Sequence, residues 1–354
     1  MALIEVRNLV KKYGNHTAVD HLNFKIESGR IYGFLGPNGA GKSTTMNIMT
    51  GYLGATEGEV FIDGHNILKE PEEAKRHIGY LPEQPPLYMD MTVREYLNFA
   101  AELKGIKKAK REDEITEVEK LVKIKDVEHR LIKNLSKGYR QRVGLAQAVL
   151  GFPEIIILDE PSVGLDPKQI IEIRELIRKL AKNHTVILSS HILAEVREVC
   201  DHILIISKGK LVASDTPENL EQLLGEHNTV EIEAEASPSD IRLILKKVPG
   251  IERIETKENG EGVCAAFIHE KKGVDVRERV FRAFASAELP LLTLKRSGTT
   301  LEDVFMELTQ RDIIPKALSR SNATSGTMAQ KHTDSEKTEE LRQGEEVQEN
   351  VGDL

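Results

Sequence analysis

Hydrophobic and polar positions alternate over short stretches in the first 63 residues. Ile4-Glu5-Val6, Leu22 to Ile26 and Ile31 to Leu35 are rich in β-branched and aromatic residues and are bounded by Gly or Asn, which is typical of strands. A glycine-rich turn follows the third stretch, and we expect a helix from about Ser43 to Thr50. A further strand, Gly58 to Asp63, ends at an Asp-Gly turn signal.

The middle of the chain has the pattern of a parallel α/β sheet. Residues 84–150 are expected to be mainly helical. Residues 155–158 are consecutive apolar residues followed by two acids, and such a run fits a strand buried on both faces of a parallel sheet. A helix near 168–182 and a strand from Thr185 to Ser189 continue the β-α-β alternation. Residues 1–222 are therefore predicted to form an α/β domain.

The pattern changes past Asp215-Thr216-Pro217. In chain order we expect a strand at 229–236, a helix at 238–247, strands at 251–256 and 263–268, a helix at 274–287 and a strand at 291–296. That order, β-α-β-β-α-β, is the ferredoxin-like pattern. With a last helix at 301–308, residues 228–313 are predicted to form a small α+β accessory domain. Residues 315–354 have little to bury, and we expect a disordered acidic tail there.

Composition and charge narrow the classes of function. Hydrophobic residues make up 40% and charged residues 30% of the 354 residues, which describes a globular protein with ample core. The net charge is −8, and residues 331–354 contribute three Lys or Arg against eight Asp or Glu. The rest of the chain is near neutral, so we expect no nucleic acid partner.

Cysteine usage and hydropathy bear on location. Cys200 and Cys264 are far apart and fit neither a disulfide framework nor a metal pattern, so reduced thiols in the cytosol are expected. The N-terminus alternates like a strand and lacks the layout of a signal peptide. No apolar run approaches the roughly 18 residues needed to span a bilayer. If the protein works at a membrane, a partner must hold it there.

The clearest chemical motif is the glycine-rich turn. Its residues match G-x-x-x-x-G-K-[ST] between a strand and a helix, and they are Gly36, Pro37, Asn38, Gly39, Ala40, Gly41, Lys42, Ser43 and Thr44. Glycines let backbone N–H groups point at one anion, and the helix N-terminus adds partial positive charge. We expect Lys42 to reach the β- and γ-phosphates and the Ser43 hydroxyl to bind Mg²⁺.

Two acids follow the apolar run at 155–158. Asp159 would face the metal, usually through water, and Glu160 is a candidate general base for the attacking water. Taken alone, the run could equally be a strand that ends in solvated acids. The phosphate loop upstream favours the functional interpretation.

Five further stretches carry a resemblance to one family. They are Asn134-Leu135-Ser136-Lys137-Gly138-Tyr139-Arg140-Gln141-Arg142, Asp159-Glu160-Pro161-Ser162-Val163-Gly164-Leu165-Asp166-Pro167, Ser189-Ser190-His191, Lys12-Tyr13-Gly14 and Tyr80-Leu81-Pro82-Glu83. They resemble the signature, the Walker B motif with its D-loop, the switch histidine, the adenine-stacking aromatic and the Q-loop of ABC ATPases. The resemblance covers residues 3 to about 220. Phe34 to Gly39 and Thr300 to Phe305 look most like ATP-binding subunits of ABC-2-type exporters, which include drug, polysaccharide and gliding-motility systems.

The resemblance implies a P-loop NTPase of the ABC type, with a parallel sheet core, an antiparallel β subdomain and a helical subdomain at about 84–150. It implies an ATP- and Mg²⁺-dependent motor at the inner face of the cell membrane, bound to a separate transmembrane permease. The motor would be a head-to-tail dimer, either of two identical subunits or of two related ones.

The resemblance also assigns roles to residues. Tyr13, Val19 and the loop from Gly36 to Thr44 would contact the nucleotide, and Lys42, Glu160 and His191 would be catalytic. Three residues would act at the dimer interface. Ser136 and Gly138 would face the γ-phosphate of the other subunit, and Asp166 would link the two sites.

Two departures from the family pattern stand out. The signature has Lys137 where Gly is usual and Tyr139 where Gln is usual. At the Q-loop, Glu83 replaces the glutamine that touches Mg²⁺, and Gln84 follows one residue late. A carboxylate can bind Mg²⁺ through oxygen, so Glu83 is assigned to the metal with Gln84 as its rival.

Two other classes of function are alternatives. A non-transport ABC ATPase of the translation-factor type has two ATPase domains, whereas each motif occurs once here, and a chromosome-type protein needs a coiled coil for which there is no room between Thr44 and Leu135. A module that binds ATP without hydrolysis would not need Asp159, Glu160 and His191 intact.

The accessory domain could regulate, dimerise, bind the permease or simply support the ATPase domain.

Overall fold

The computed structural model describes residues 2–223, 229–258, 262–271, 274–297 and 301–310. The strands of the first part are β1 (Ala2–Tyr13), β2 (His16–Glu27), β3 (Ile31–Leu35), β4 (Glu57–Ile62), β5 (His65–Asn66), β6 (Ile78–Leu81), β7 (Ile155–Leu158), β8 (Thr185–Ser190), β9 (His202–Ser207) and β10 (Lys210–Asp215). The helices are α1 (Lys42–Met49), α2 (Pro71–Arg76), α3 (Val93–Leu103), α4 (Lys108–Leu121), α5 (Lys137–Val149), α6 (Pro167–Leu180), α7 (Leu193–Val199) and α8 (Pro217–Leu223).

The central sheet has six strands in the order β10-β9-β3-β8-β7-β6. Neighbouring strands are parallel except for β9 with β10. β3, β7 and β8 are buried along their whole length, which confirms the doubly covered strand predicted at 155–158. Because the three strands are parallel, their carboxyl ends meet at one edge of the sheet, and the polar residues that follow them converge there.

A second sheet covers one side of this core. Its order is β2-β1-β4-β5, and its strands pair antiparallel, which confirms the expected antiparallel subdomain. The two sheets share a hydrophobic core that includes Ile4, Phe24, Phe34, Met46 and Ile157. The rings of Phe24 and Phe34 pack edge to face with centroids 5.3 Å apart. This core fixes β3 and α1, the two elements that flank the glycine-rich loop.

Residues 84–150 are mainly helical, as predicted, through α3, α4 and α5. Thr92 caps α3 in a capping box: its side chain accepts from the N–H of Glu95, and the Glu95 carboxylate accepts from the N–H of Thr92. Arg94 donates to the fully buried carboxylate of Glu119 at 2.8 Å. The helices are thereby held together at the end of α3 that follows the Q-loop.

The accessory domain has the predicted element order. Its elements are β11 (Thr229–Ala234), α9 (Pro238–Leu245), β12 (Ile251–Glu258), β13 (Cys264–Glu270), α10 (Arg277–Ser286), β14 (Leu291–Ser297) and α11 (Leu301–Gln310). The sheet order is β12-β13-β11-β14 with antiparallel pairs throughout, which is the ferredoxin-like arrangement. α10 begins three residues later than expected, because the Asp275 carboxylate accepts the N–H of Arg277 and the Glu270 carboxylate accepts that of Val276.

The last described helix lies against the first part of the chain, residues 2–223. α11 buries Leu301, Val304 and Leu308 and contacts α7, α8, β9 and β10. The acidic tail predicted at 315–354 lies outside the described residues. Among the residues that are described, no helix has both the length and the apolar character needed to cross a bilayer.

Candidate functional site

The glycine-rich loop connects β3 to α1 and turns its backbone inward. Gly39 has φ 79° and Gly41 has φ 101°, values in the left-handed region that favour glycine. A Cβ atom on Gly41 would lie 2.4 Å from the carbonyl oxygen of Ala18, so the close approach to β2 also requires glycine. The loop leads directly into the N-terminus of α1, where unpaired backbone N–H groups attract an anion.

Lys42, the first residue of α1, is buried beside this loop. Its ammonium group donates to the carbonyl oxygen of Gly36 at 2.7 Å and lies 3.9 Å from a carboxylate oxygen of Glu160. Burial lowers the pKa of Lys42, while the charges of Glu160, Asp159 and Glu83 oppose that shift. The charges of three carboxylates thus act on one ammonium group at the loop.

Asp159 and Glu160 follow β7 at the same edge of the sheet. The Ser43 hydroxyl lies 3.4 Å from the Asp159 carboxylate, so two of the three predicted metal-binding residues come together. The Ser189 hydroxyl donates to Asp159 at 2.5 Å and accepts the backbone N–H of Glu160 at 2.8 Å. Ser189 was not a predicted site residue; its only signal in the sequence was its place at the end of an apolar strand, two residues before His191.

His191 faces Glu160 across the edge of the sheet. Its Nδ1 lies 2.9 Å from Oε2 of Glu160, a distance that fits a hydrogen bond donated by the imidazole to the carboxylate. The Glu160 side chain is 9% exposed and that of His191 is 45% exposed. Glu160 has φ 49°, a conformation that costs about 1 kcal/mol or more in a residue with a Cβ. Such strain is concentrated at functional sites.

Of these residues, Lys42, Ser43, Glu160 and His191 border a cavity of about 460 Å³, whereas Asp159 is not among the described residues that line it. Its lining consists of Tyr13, His16, Ala18, Asn38, Gly39, Ala40, Gly41, Lys42, Ser43, Thr44, Glu83, Glu160, Val163 and His191. Glu83 is in this lining, and its charge acts on Lys42. Val19 is fully buried behind the loop, and the wall there is formed by Ala18 and His16, which sequence reasoning missed. We call Lys42, Ser43, Asp159, Glu160 and His191 the strand-edge cluster.

The residues predicted to act across a dimer interface lie at helix N-termini. Ser136 caps α5 by accepting the N–H of Tyr139, and Asp166 caps α6 by accepting the N–H of Gln169 at 2.9 Å. Gly138 is buried against the Gln169 side chain, which would have to shift to admit a Cβ. None of these three residues is among the described residues that line the cavity. We call Ser136, Gly138 and Asp166 the helix-cap group.

The two unusual signature residues have contacts of their own. The Tyr139 hydroxyl donates to the Asp126 carboxylate at 2.9 Å. The Lys137 ammonium lies over Gly164, where it would be 2.0 Å from a Cβ atom on that residue. Lys137 therefore packs on the segment that leads from Glu160 to Asp166, and its size is accommodated by the glycine.

Comparisons with known proteins agree with this geometry. The family described as "ABC transporter" matches residues 19–163. The bacitracin transport ATP-binding protein BcrA of Bacillus licheniformis is 35% identical over 308 residues, which cover 86% of this chain and 97% of the relative. The linearmycin resistance ATP-binding protein LnrL of Bacillus subtilis is 29% identical over 312 residues, 88% of this chain and 99% of the relative.

Solved structures give the same result. A structure described as an ATP-binding subunit of an ABC transporter is 31% identical with a TM-score of 0.58, covering 63% of this chain and 93% of the other. A dimeric ATP-binding cassette in a post-hydrolysis state with ADP and Pi is 27% identical with a TM-score of 0.56, covering 60% of this chain and 98% of the other. The parallel sheet, the phosphate loop and these likenesses together identify the chain as an ATP-hydrolysing, ATP-binding subunit of the ABC transporter family.

Proposed function

We propose that the strand-edge cluster and the phosphate loop form the hydrolytic half-site of an ABC exporter. The observation that carries this proposal is the convergence of Lys42, Glu160 and His191 on one cavity, at the carboxyl ends of three parallel strands. The loop N–H groups and Lys42 bind the β- and γ-phosphates. Tyr13, half exposed at the rim of the cavity, stacks on the adenine.

Glu160 is the general base in this proposal. Its carboxylate takes a proton from the water that attacks the γ-phosphate. The hydrogen bond from Nδ1 of His191 orients that carboxylate, which leaves Nε2 for the γ-phosphate. Ser189 fixes the peptide before Glu160 through the 2.8 Å bond, so the base is held from both its backbone and its side chain.

Ser43 and Asp159 supply the oxygen atoms that would hold Mg²⁺. A hydroxyl and a carboxylate 3.4 Å apart are the kind of donors that Mg²⁺ prefers. When bound, Mg²⁺ neutralises charge on the β- and γ-phosphates. Glu83, rather than Gln84, is the third candidate, because Glu83 lines the cavity. The cost of this carboxylate is repulsion with the phosphates.

The helix-cap group acts on a second subunit in this proposal. Ser136 and Gly138 lie at the N-terminus of α5, where an anion is favoured, yet they are not among the described residues that line the cavity of their own chain. A head-to-tail dimer would bring them to the γ-phosphate of the partner, with Asp166 at the interface. The dimer consists of two copies of this chain or of this chain and a related subunit.

We further propose export through a separate transmembrane permease, with the ATPase peripheral on the cytoplasmic face of the membrane. Relatives named for bacitracin transport and linearmycin resistance, which the chain covers almost completely, support this assignment. The division between 1–222 and an accessory domain that begins at 228 is supported by two separate hydrophobic cores, one in each range. The proposed end of that domain at 313 lacks this support, because α11 packs on the first part of the chain.

Substitution of Glu160 by Gln tests the proposed mechanism. The amide cannot accept the proton, so ATP turnover should be abolished while ATP still binds and an ATP-bound dimer accumulates. Turnover is measured by phosphate release and the dimer by size-exclusion chromatography with ATP. Glu154→Gln is the matched control, because Glu154 lies just before the same strand with a side chain that is 60% exposed. Unchanged turnover in Glu160→Gln would rule out Glu160 as the base.

A further inference from the structure

A buried carboxylate lies behind the strand-edge cluster. Glu195 belongs to α7, four residues after His191, and is 6% exposed. Its Oε2 accepts hydrogen bonds from the Ser162 hydroxyl at 2.6 Å and from the Ser190 hydroxyl at 3.2 Å. Both serines are themselves buried. A charged group this deep persists only where donors satisfy it, and these two hydroxyls come from different segments of the site.

The first hydroxyl belongs to the segment that carries the general base. Ser162 lies two residues after Glu160 and four before Asp166. Gln141 of α5 donates to the carbonyl oxygen of the neighbouring Pro161 at 3.3 Å. The segment 160–166, which leads from Glu160 to Asp166, is therefore bonded to α5 through Pro161 and to Glu195 through Ser162.

The second hydroxyl belongs to the segment that carries the switch histidine. Ser190 directly precedes His191, and its hydroxyl oxygen also accepts the backbone N–H of Ile192 at 3.0 Å. The Ser190 side chain thus ties the backbone on the far side of His191 to the carboxylate of Glu195. One oxygen atom of Glu195 consequently holds the Glu160 segment and the His191 segment at a fixed separation.

We propose that Glu195 is a positioning residue for ATP hydrolysis that maintains the 2.9 Å contact between Glu160 and His191. This inference rests on the roles proposed above for Glu160 and His191. Glu195 is not among the described residues that line the cavity, so it acts through the two serines and not on the nucleotide. A carboxylate suits this position because it only accepts hydrogen bonds, and charge strengthens both of them.

Substitution of Glu195 in the full chain tests the proposal. Glu195→Ala should lower kcat by about 100-fold, the size of effect expected when a catalytic group shifts by about 1 Å. The KM for ATP and the affinity for a fluorescent ATP analogue should not change, since the phosphate loop is untouched. Glu195→Gln should recover most of the lost kcat, because the amide oxygen still accepts from a serine. A purely structural role would change binding and kcat together.

Glu198 provides the matched control on the same helix. Its side chain is 49% exposed and pairs with Arg174 and Arg178. Because exposed ion pairs contribute little, Glu198→Ala should leave kcat within about twofold of the unmodified chain. A loss equal to that of Glu195→Ala would assign the effect to α7 as a whole and overturn the proposal.

Serine substitutions show whether Glu195 acts through the two hydroxyls. Ser162→Ala and Ser190→Ala should each lower kcat. Ser162→Ala should not lower it further when Glu195 is already Ala, because its hydroxyl acts through Glu195. Independent, multiplying losses would overturn the coupling. If Glu195→Ala does not fold, Glu195→Gln and the two serine variants test the positioning role instead. A normal kcat in all three of these variants would overturn that role.

Glu160→Gln, assayed in parallel, separates this inference from the mechanism on which it rests. If turnover survives in Glu160→Gln, Glu160 is not the general base, and the positioning role of Glu195 loses its basis. An inactive Glu160→Gln beside normal Glu195 variants overturns the positioning role alone.

Discussion

The strand-edge cluster and the helix-cap group satisfy their polar groups in different ways. In the first, side chains from three segments meet one another: Ser43 meets Asp159, and both Lys42 and His191 meet Glu160. In the second, each side chain bonds only one turn further along its own helix, as Ser136 and Asp166 do. The first arrangement is tertiary, and the second is local.

This difference bears on how the motor is assembled. The strand-edge cluster is complete in one chain, since its positions follow from the parallel sheet. The helix-cap group offers helix N-termini that do not open on the cavity of the same chain. The contrast supports a division in which one subunit binds nucleotide and the other adds the groups that close the site. It also predicts that the two regions fail in different ways.

The largest effect should come from the strand-edge cluster. Lys42→Ala removes the ammonium group that faces the phosphates, so nucleotide binding should weaken severely and kcat should fall by about 10³-fold, the upper range for loss of one electrostatic contact. Titration with a fluorescent ATP analogue and phosphate release measure the two quantities. Lys12→Ala is the control, because Lys12 is exposed and pairs with Glu57. ATP binding that survives in Lys42→Ala would contradict the assignment.

An effect on assembly, not on binding, should follow substitution in the helix-cap group. Ser136→Arg places a long side chain where the partner's γ-phosphate would lie, so ATP-dependent dimerisation and turnover should be lost while each subunit still binds ATP. Light scattering with and without ATP reports the dimer.

The control for Ser136→Arg is Ser237→Arg. Ser237 caps α9 in the accessory domain in the same way, and loss of either cap costs about 1 kcal/mol. The control thus isolates the blocked interface from the lost cap. Weakened ATP binding in Ser136→Arg would show that the two regions are not separate in function.

The smallest effect should come from Glu83. Glu83→Gln removes one carboxylate from the surroundings of Lys42, so the Mg²⁺ concentration that gives half-maximal turnover should change by less than about tenfold, the scale of a single exposed charge. A Mg²⁺ titration of ATPase activity measures it, with Gln84→Ala as the control. A larger shift in Gln84→Ala than in Glu83→Gln would reverse the assignment between the two residues.

The parts of the site that lie in continuous motifs could be predicted from the sequence. The phosphate loop, the acids after β7 and His191 each follow a buried strand, and a parallel sheet leaves little choice about where the ends of its strands meet. The accessory domain was predicted for the same reason, since its alternating strands and amphipathic helices fix the β-α-β-β-α-β order. Local pattern was sufficient for these elements.

Contacts between distant segments could not be predicted in this way. Ser189 is set apart only by its place in the stretch that carries His191, and Glu195 has no sequence pattern that separates it from other polar residues near buried strands. Their roles depend on which backbone each side chain meets: Asp159 and Glu160 for the first, Ser162 and Ser190 for the second. The sequence analysis named Val19 as a nucleotide contact, but its neighbour Ala18 lines the cavity. The difference has the same origin, because adjacent side chains of a strand point to opposite faces.

The sequence by itself determined the family and the order of the elements, and it predicted the residues that we propose for phosphate and proton chemistry, because each of these depends on short-range spacing. The tertiary structure decided how those residues are held: the 2.9 Å contact of His191 with Glu160, the lysine of the signature packed over Gly164, and the buried carboxylate of Glu195 between two loops. Burial strengthens such hydrogen bonds and makes an unpaired polar group costly, and only the packed chain brings their partners within hydrogen-bonding distance.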